Sequence, residues 1–530
     1  VASVDRSTMT VPTRQAGFGP SSAAIRRLVW IVPVVVSLAI VAAIILLRNF
    51  PYSQKRIVQS LRETFPSAIT VDHFQQVYFP HPGCKAVGIQ FRSSSSPQGS
   101  PPIVAIHELI IQGSYVDLIV RPHHISKVIV DGLHLYFSPI NNSSTFSGGS
   151  TQSPITIGEL TANGALLEVE RADKKPVLRF DFHELSLGSI SDKHGMSYTV
   201  AMHNPEPSAE IRAAGHFGPY SDSSPGQTPV SGNYTFDGGD LSIFDGIAGI
   251  VNSVGTFSGP LEQIGVRGVT DTPDFEVVRS EHPGPLHAQF EANVNATNGD
   301  VALNNVDATY IRTKINAKGN IASKDRSSSK YTSLDFVIAK GRIEDMLHLF
   351  NKAKQPSMSG TTHMQGHVTV PPDGQPFLKE VVVQGNFDIA DGRFENEERQ
   401  ESVDELSKTA SGKKKSTTQL DESPENVIAQ VNGHTTLRNG VATFPDLVFQ
   451  VPGADARMHG TYNLLNKKVD LHGTVKMDAK FSKNTSGIKA VFAKVLDPFF
   501  DKSHGSVVPV LVDGTYEKPH FGLDLNPVKK

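Results

Sequence analysis

The chain has 530 residues, with 50 Lys and Arg against 53 Asp and Glu and a formal net charge of −3. That balance supplies no basic field for nucleic acid, and the single cysteine, Cys84, excludes an internal disulfide framework and a cysteine-based zinc site. The length calls for two or three folding units, or one elongated one.

Residues 1–27 begin polar and poor in large apolar side chains, which predicts a disordered tail. Leu28–Leu47 then reads LVWIVPVVVSLAIVAAIILL, twenty residues without a charge between Arg26, Arg27 and Arg48. At about 1.5 Å rise per residue it makes a helix of roughly 30 Å, the thickness of a bilayer's hydrocarbon core. It is read as a membrane span, bounded by Leu28 and Leu47, with Trp30 as an interfacial anchor. A cleaved signal peptide has a shorter apolar region and a small-residue cleavage site, and LLRNFPYSQ offers none. Basic residues tie across the run: Arg6, Arg14, Arg26 and Arg27 before it, Arg48, Lys55, Arg56 and Arg62 after it. The charge rule therefore leaves the orientation undecided.

Over 51–65, Ile57, Leu61 and Phe65 recur four apart with Lys55, Arg56 and Arg62 on other faces, which predicts a short amphipathic helix. The pattern suits a helix lying on lipid and one packed on a following sheet equally.

From Ile69 the period changes to two. Leu286, Ala288, Phe290, Ala292 and Val294 alternate with His287, Gln289, Glu291, Asn293 and Asn295; Val381, Val383, Phe387 and Ile389 oppose Gln384, Asn386 and Asp388. Val469, Leu471, Val475 and Met477 oppose Asp470, His472, Thr474 and Lys476 in the same way. Such strands have one dry and one wet face. Asp131-Gly132, Asn163-Gly164, Asp237-Gly238-Gly239, Asn298-Gly299, Asp391-Gly392 and Asn439-Gly440 read as turns between them.

Helices are expected at Ile343–Phe350, at Leu241, Phe244, Ile247 and Val251, and over Ile488–Phe499. The fold class is thus mainly β: an N-terminal transmembrane helix, then a long antiparallel, meandering, curved sheet with a few short amphipathic helices. Its apolar face either packs in a sandwich or lines a trough. Loop-rich stretches divide the β region into modules at 66–220, 221–400 and 427–527, with a charged linker over 401–426.

No GxSxG elbow, HExxH, P-loop or GxGxxG-to-helix motif is present, so no enzymatic activity, cofactor or metal is expected. His81, His123 and His124 lack a carboxylate at metal-ligand spacing, and Asp237, Asp240 and Asp245 read as turn and helix-cap residues.

The strings ITVDHFQQVYFPHPGCKAVGIQF, with its Phe79-Pro80-His81-Pro82-Gly83 turn, and GSYVDLIVRPHHISKVIVDGLHLYF resemble the amino-terminal module of AsmA-like envelope proteins. GVATFPDLVFQVPGADARMHGTYNLLNKKVDLHGTV and the closing VDGTYEKPHFGL, with Gly514, Thr515, Pro519 and Phe521, are similar to that family's carboxy-terminal stretch. The resemblance implies a single-pass protein of the bacterial inner membrane, its amino terminus cytoplasmic and its bulk a periplasmic β-groove that assists phospholipid transfer and outer-membrane assembly. It implies phospholipid acyl chains, the inner membrane and outer-membrane or assembly proteins as partners, and brings no catalytic residues. The expected groove lining is Leu286, Phe290, Val294, Val381, Val383, Phe387, Val469, Leu471 and Val475. The alternative is an envelope scaffold that holds assembly partners and carries no lipid.

Overall fold

The computed structural model describes residues 52–64 and then 68–524, apart from 93–100, 122–123, 138–155, 171–175, 192–193, 324–329, 351–354, 372–376, 408–427, 479–505, 516–517 and scattered single or paired positions. The expected membrane span, the tail before it and the helix over 488–499 lie outside the described residues. Among the described residues, no helix is long and apolar enough to cross a membrane. Contacts divide the chain into two units, 1–63 and 64–530. In the first, the expected amphipathic helix is present as α1 (Gln54–Thr64), which ends in the first residue of the second.

The second unit is one 25-stranded sheet. Its strands are β1 (Ala68–Val77), β2 (Gly83–Arg92), β3 (Val104–Gln112), β4 (His124–Phe137), β5 (Thr156–Asn163), β6 (Ala165–Val169), β7 (Leu178–Ser191), β8 (Gly195–Pro205) and β9 (Ser208–Phe217). There follow β10 (Pro229–Asp240), β11 (Ile247–Ala248), β12 (Ile250–Pro260), β13 (Ile264–Val277), β14 (Gly284–Asn295), β15 (Asp300–Tyr310), β16 (Thr313–Ser323), β17 (Lys330–Arg342), β18 (Met358–Val370) and β19 (Val382–Phe394). The last are β20 (Ala429–Arg438), β21 (Val441–Val451), β22 (Ala454–Asn463), β23 (Lys468–Met477), β24 (Ser506–Thr515) and β25 (Lys518–Gly522). The described residues also include the helices α2 (Tyr115–Val120), α3 (Ile343–Phe350) and α4 (Phe377–Glu380).

The sheet meanders, each strand pairing antiparallel with its sequence neighbours, except at β11, which pairs with β13 while β10 pairs with β12, and at β5 and β6. β5 and β6 lie end to end between β4 and β7, and both run parallel to β4. The eighteen residues 138–155 before β5 are long enough, at about 3.3 Å each, to return the chain along β4. Pairing also crosses both expected module boundaries, through β9 with β10 and β19 with β20. With β5 and β6 sharing a place and β11 a two-residue ladder beside β13, the strands occupy 25 − 2 = 23 positions. At about 4.8 Å per step the sheet runs roughly 105 Å along its curved path.

Register keeps one apolar face throughout. A cross-strand row runs from Phe74 through Ala86, Leu109, Val130 and Ala162 to Leu185, Val200 and Ala213. It continues through Tyr234, Gly255, Gly268, Phe290, Val306, Ala317 and Phe336, without a charged residue. In β1–β4 the apolar set advances by three residues at one level: Val71 to Phe74, Ala86 to Ile89, Ile106 to Leu109, Val130 to Leu133. Gly88 and Gly132, with φ of 68° and 61°, absorb the extra residue there. The step passes through Ala162 to Ala165 and Phe182 to Leu185, and a bulge between β7 and β8 ends it.

Several expected turns are therefore bulges. Asp131-Gly132, Asp237-Gly238-Gly239 and Asp391-Gly392 lie inside β4, β10 and β19, and the last two coincide with register shifts. Only Asn298-Gly299 and Asn439-Gly440 connect hairpins, while Asn163-Gly164 separates β5 from β6. The helix expected over 241–251 is instead a 3-10 turn, Leu241–Ile243, followed by strand. Gly246 and Gly249 take φ of 95° and 130°, outside any right-handed helix, and the Asp240 carboxylate caps the turn by accepting from the Ser242 amide at 2.8 Å.

Helices cover the two strand-end rims of the apolar face. On one rim α3 packs Ile343 and Met346 against Tyr310, Ile338, Met358 and Ile389. Eight residues do not hold a helix alone. Asp345, 1% exposed, pins it by accepting from the Thr313 hydroxyl at 2.8 Å and the Arg312 amide at 3.2 Å. Further along the same rim, residues 400, 401, 403, 404 and 407 are helical, so the expected linker is packed where it begins. Val403 lies on Ala429, Val451 and Met477, and the Ser407 hydroxyl donates to the Pro452 carbonyl at 2.8 Å. On the opposite rim, Leu378 of α4 covers Val381, Leu437 and Ala442.

Asp345→Ala should leave the Thr313 hydroxyl proton and the Arg312 amide without an acceptor, although the Thr313 oxygen still accepts from the Arg342 amide at 2.9 Å, and should destabilise the sheet by about 1–3 kcal/mol, read as a lower urea midpoint. At the C-terminal end, His472 bonds Asp524 at 2.9 Å, which raises the imidazole above its ordinary value of 6.5. The contribution is complete below about 6.5 and is lost as pH rises through the raised folded value. Thermal melts from pH 5.5 to 8.5 should show His472→Gln removing part of the low-pH stabilisation.

Candidate functional site

The apolar face changes character along the sheet. Over β2–β5 it is buried at Cys84, Ala86, Ile89, Leu109, Val128 and Ala162. From β8 onward most of its side chains are half-buried, alternating with exposed polar ones. The strands join one sheet rather than two facing ones. Among the described residues this face of the middle strands is thus left half-exposed.

An open concavity of about 410 Å³ lies on this face, spanning β9 to β14. Ile211, Phe236, Phe257, Ile264, Val266 and Val294 line it, with Ala213, Tyr234 and Ser253. Its two side-chain hydroxyls are hydrogen-bonded to each other, the Tyr234 oxygen lying 3.1 Å from the Ser253 oxygen. The rest of the lining is hydrocarbon.

Glycines shape the floor. A Cβ at Gly268 would fall 2.6 Å from the Tyr234 hydroxyl and 2.9 Å from Phe290 Cε1, and one at Gly255 would fall 2.8 Å from Tyr234 Cε1. Gly366 stands in the same relation to Phe336, at 3.0 Å. Each ring lies across a cross-strand glycine, which keeps the floor apolar and low.

Of the expected lining, Val294 is in the cavity wall, Phe290 lies over Gly268, and Leu286 sits beside the Tyr310 cluster under α3. Val383 and Phe387 continue the face through Val368 and Met364, and Val469, Leu471 and Val475 do so through Tyr462, Gly460 and Ala456. All eight are half-buried. Val381 is not lining: at 3% exposure it is core beneath Leu378, just before β19 begins. Sequence reasoning missed Tyr234, Phe236 and Phe257, whose alternation is broken on the dry face by Gly232, Ser253 and Gly255.

Chemistry is sparse. The Cys84 thiol is buried and pushed up to about 12 by desolvation, which keeps it protonated and unreactive. A second depression, of about 400 Å³, takes in Asn252, Asp271, His287 and Thr309 of the polar face, with His287 Nδ1 2.6 Å from Asp271. This pairing recurs as His367–Asp335 at 2.7 Å, His434–Asp446 at 2.9 Å and His520–Asp513 at 2.8 Å. It is the cross-strand pairing of a wet sheet face. Hydrogen bonding from His434 holds the Asp446 carboxyl below its usual range.

Fold and site together define one large, mainly antiparallel curved sheet with a half-exposed apolar face. No protein-family model, no curated protein and no solved structure matches this chain.

Gly268→Val should lift the Tyr234 and Phe290 rings into the trough. A fluorescent fatty acid should then bind about tenfold more weakly, near 1.4 kcal/mol, while the far-ultraviolet dichroism of the sheet is retained.

Proposed function

We propose that this chain is a membrane-anchored, AsmA-like envelope protein whose trough binds phospholipid acyl chains, assisting phospholipid transfer and outer-membrane assembly. In this reading Leu28–Leu47 is the inner-membrane anchor, the sheet is periplasmic, and the protein is not an enzyme. One observation carries the proposal: an apolar face that one cross-strand row follows from Phe74 to Phe336 without a charged residue, left half-exposed over the middle strands. Exposing acyl chains to water costs about 0.8 kcal/mol per methylene, so a surface that shields them need only be apolar and continuous. The rim helices and the glycine floor support the reading, because they leave a strip between the rims open.

The test is native mass spectrometry with lipid extraction on the full chain in mild detergent. Wild-type protein should carry phospholipid, and Phe290→Asp with Phe387→Asp should lower it by about tenfold in protein that still folds. Lipid held around the anchor cancels in that comparison. Equal lipid in wild type and variant would instead favour the scaffold that carries no lipid.

A further inference from the structure

We propose that an exposed apolar corner at the first edge of the sheet, formed by Tyr78, Phe79, Tyr115, Val116 and Val120, docks on the same bilayer that holds Leu28–Leu47. The inference rests on the anchored reading above and adds a second, independent contact.

The corner is a built surface. The 78–82 turn between β1 and β2 is tied to the start of α2, since the Gly113 amide donates to the Pro82 carbonyl at 2.8 Å and the Tyr115 hydroxyl donates to the Tyr78 carbonyl. Phe79 is 86% exposed, Val116 67% and Val120 69%. Pro80 and Pro82 fix two φ angles around the tip, so displaying Phe79 costs little further entropy.

The hydroxyls of its two tyrosines and the Asp117 carboxylate are already bonded. The Tyr78 hydroxyl donates to Gln76 Oε1 at 2.5 Å, and Tyr115 is bonded as above. The buried Asp117 holds Arg121 at 2.7 Å and Ser126 at 3.3 Å. Moving the corner into the interface therefore strands neither a hydroxyl nor a carboxylate. The Arg121 guanidinium, 65% exposed, is left at the height of lipid phosphates.

The chain itself selects a bilayer as the occupant. The residues before 52 include the twenty-residue apolar run, and only twenty residues, 48–67, separate it from Ala68. Ala68 and Phe79 lie at opposite ends of β1, about 33 Å apart. Among the described strands β1 pairs only with β2, so tether and corner share the outermost strand. An anchored chain meets the membrane at high effective concentration, and a few apolar side chains suffice for the second contact.

The test labels the full chain in vesicles of phosphatidylcholine and phosphatidylglycerol. Cys84 is 1% exposed, so an aqueous maleimide fluorophore reaches an introduced cysteine selectively. Sites are Phe79→Cys and Val116→Cys, with Phe244→Cys as control: Phe244 is 50% exposed on the opposite rim, roughly 38 Å along the sheet. Spin-labelled phosphatidylcholine should quench positions 79 and 116 at least about threefold more than 244, with iodide showing the reverse order. Protein that floats with the vesicles but shows 79 and 116 as open to iodide as 244 overturns the corner while leaving the anchor intact. Protein that does not float overturns both.

Discussion

Cross-strand register is the constraint on which the remaining structure depends. Strand side chains alternate strictly, so a slip of one residue anywhere would carry every later apolar residue to the wet face. The chain protects the phase even where it inserts residues. In β1–β4 the extra residue appears at the same level in each strand, at Asp72, Gly88, His107 and Gly132, so neighbours stay matched while the strands bend. Farther on, single bulges at Gly239, Gly341 and Gly392 lie at the ends of strands near the helical rim. A bulge raises local twist and bends its strand, so the insertions that threaten the register also curve the sheet.

That double role limits what the sequence discloses. Runs of five alternating positions, as at Leu286–Val294, predict both strand and facing, and the half-buried lining of β14, β19 and β23 follows directly. Asp-Gly pairs do not disclose themselves, because a left-handed glycine serves a hairpin and a bulge equally; only pairing with both neighbours tells them apart. The centre of the trough was hidden for a related reason. Its dry face includes Gly255, Gly268 and Ser253, which a count of apolar residues scores as wet or as turn. Glycine in mid-strand costs backbone entropy, and here a ring from the next strand covers it. The parallel return into β5 and the packed helix near residue 400 escape notice because loop composition says little about where a loop travels.

The rims show how an open sheet can hold its shape. Face-to-face packing would place a second layer about 10 Å above the first and bury Phe290 and Phe387. Among the described residues, helices instead touch the strand ends: α3 at Tyr310 and Ile389, the helical residues 403 and 407 near Val451 and Pro452, α4 at Leu437. Ile389 and Val383 are six residues apart on β19, about 20 Å, and belong to clusters on opposite rims. The strip between them is flanked by packed cores that stiffen the strand ends, so its exposure is a consequence of where the helices stop.

A surface that carries hydrocarbon along its length is judged by its least favourable position rather than its best. A deep pocket would hold an acyl chain tightly and release it slowly, since differences in affinity reside mainly in dissociation. A charged residue in the row would halt it, because an unpaired polar group facing hydrocarbon costs several kcal/mol. The row from Phe74 to Phe336 has neither fault. Its side chains vary in size, yet rings lie flat over glycines where bulk would otherwise rise, and the hydroxyls of Tyr234 and Ser253 are turned on each other. An even, shallow and uninterrupted apolar floor lowers both the wells and the barriers along it, which is the physical requirement for movement as distinct from storage.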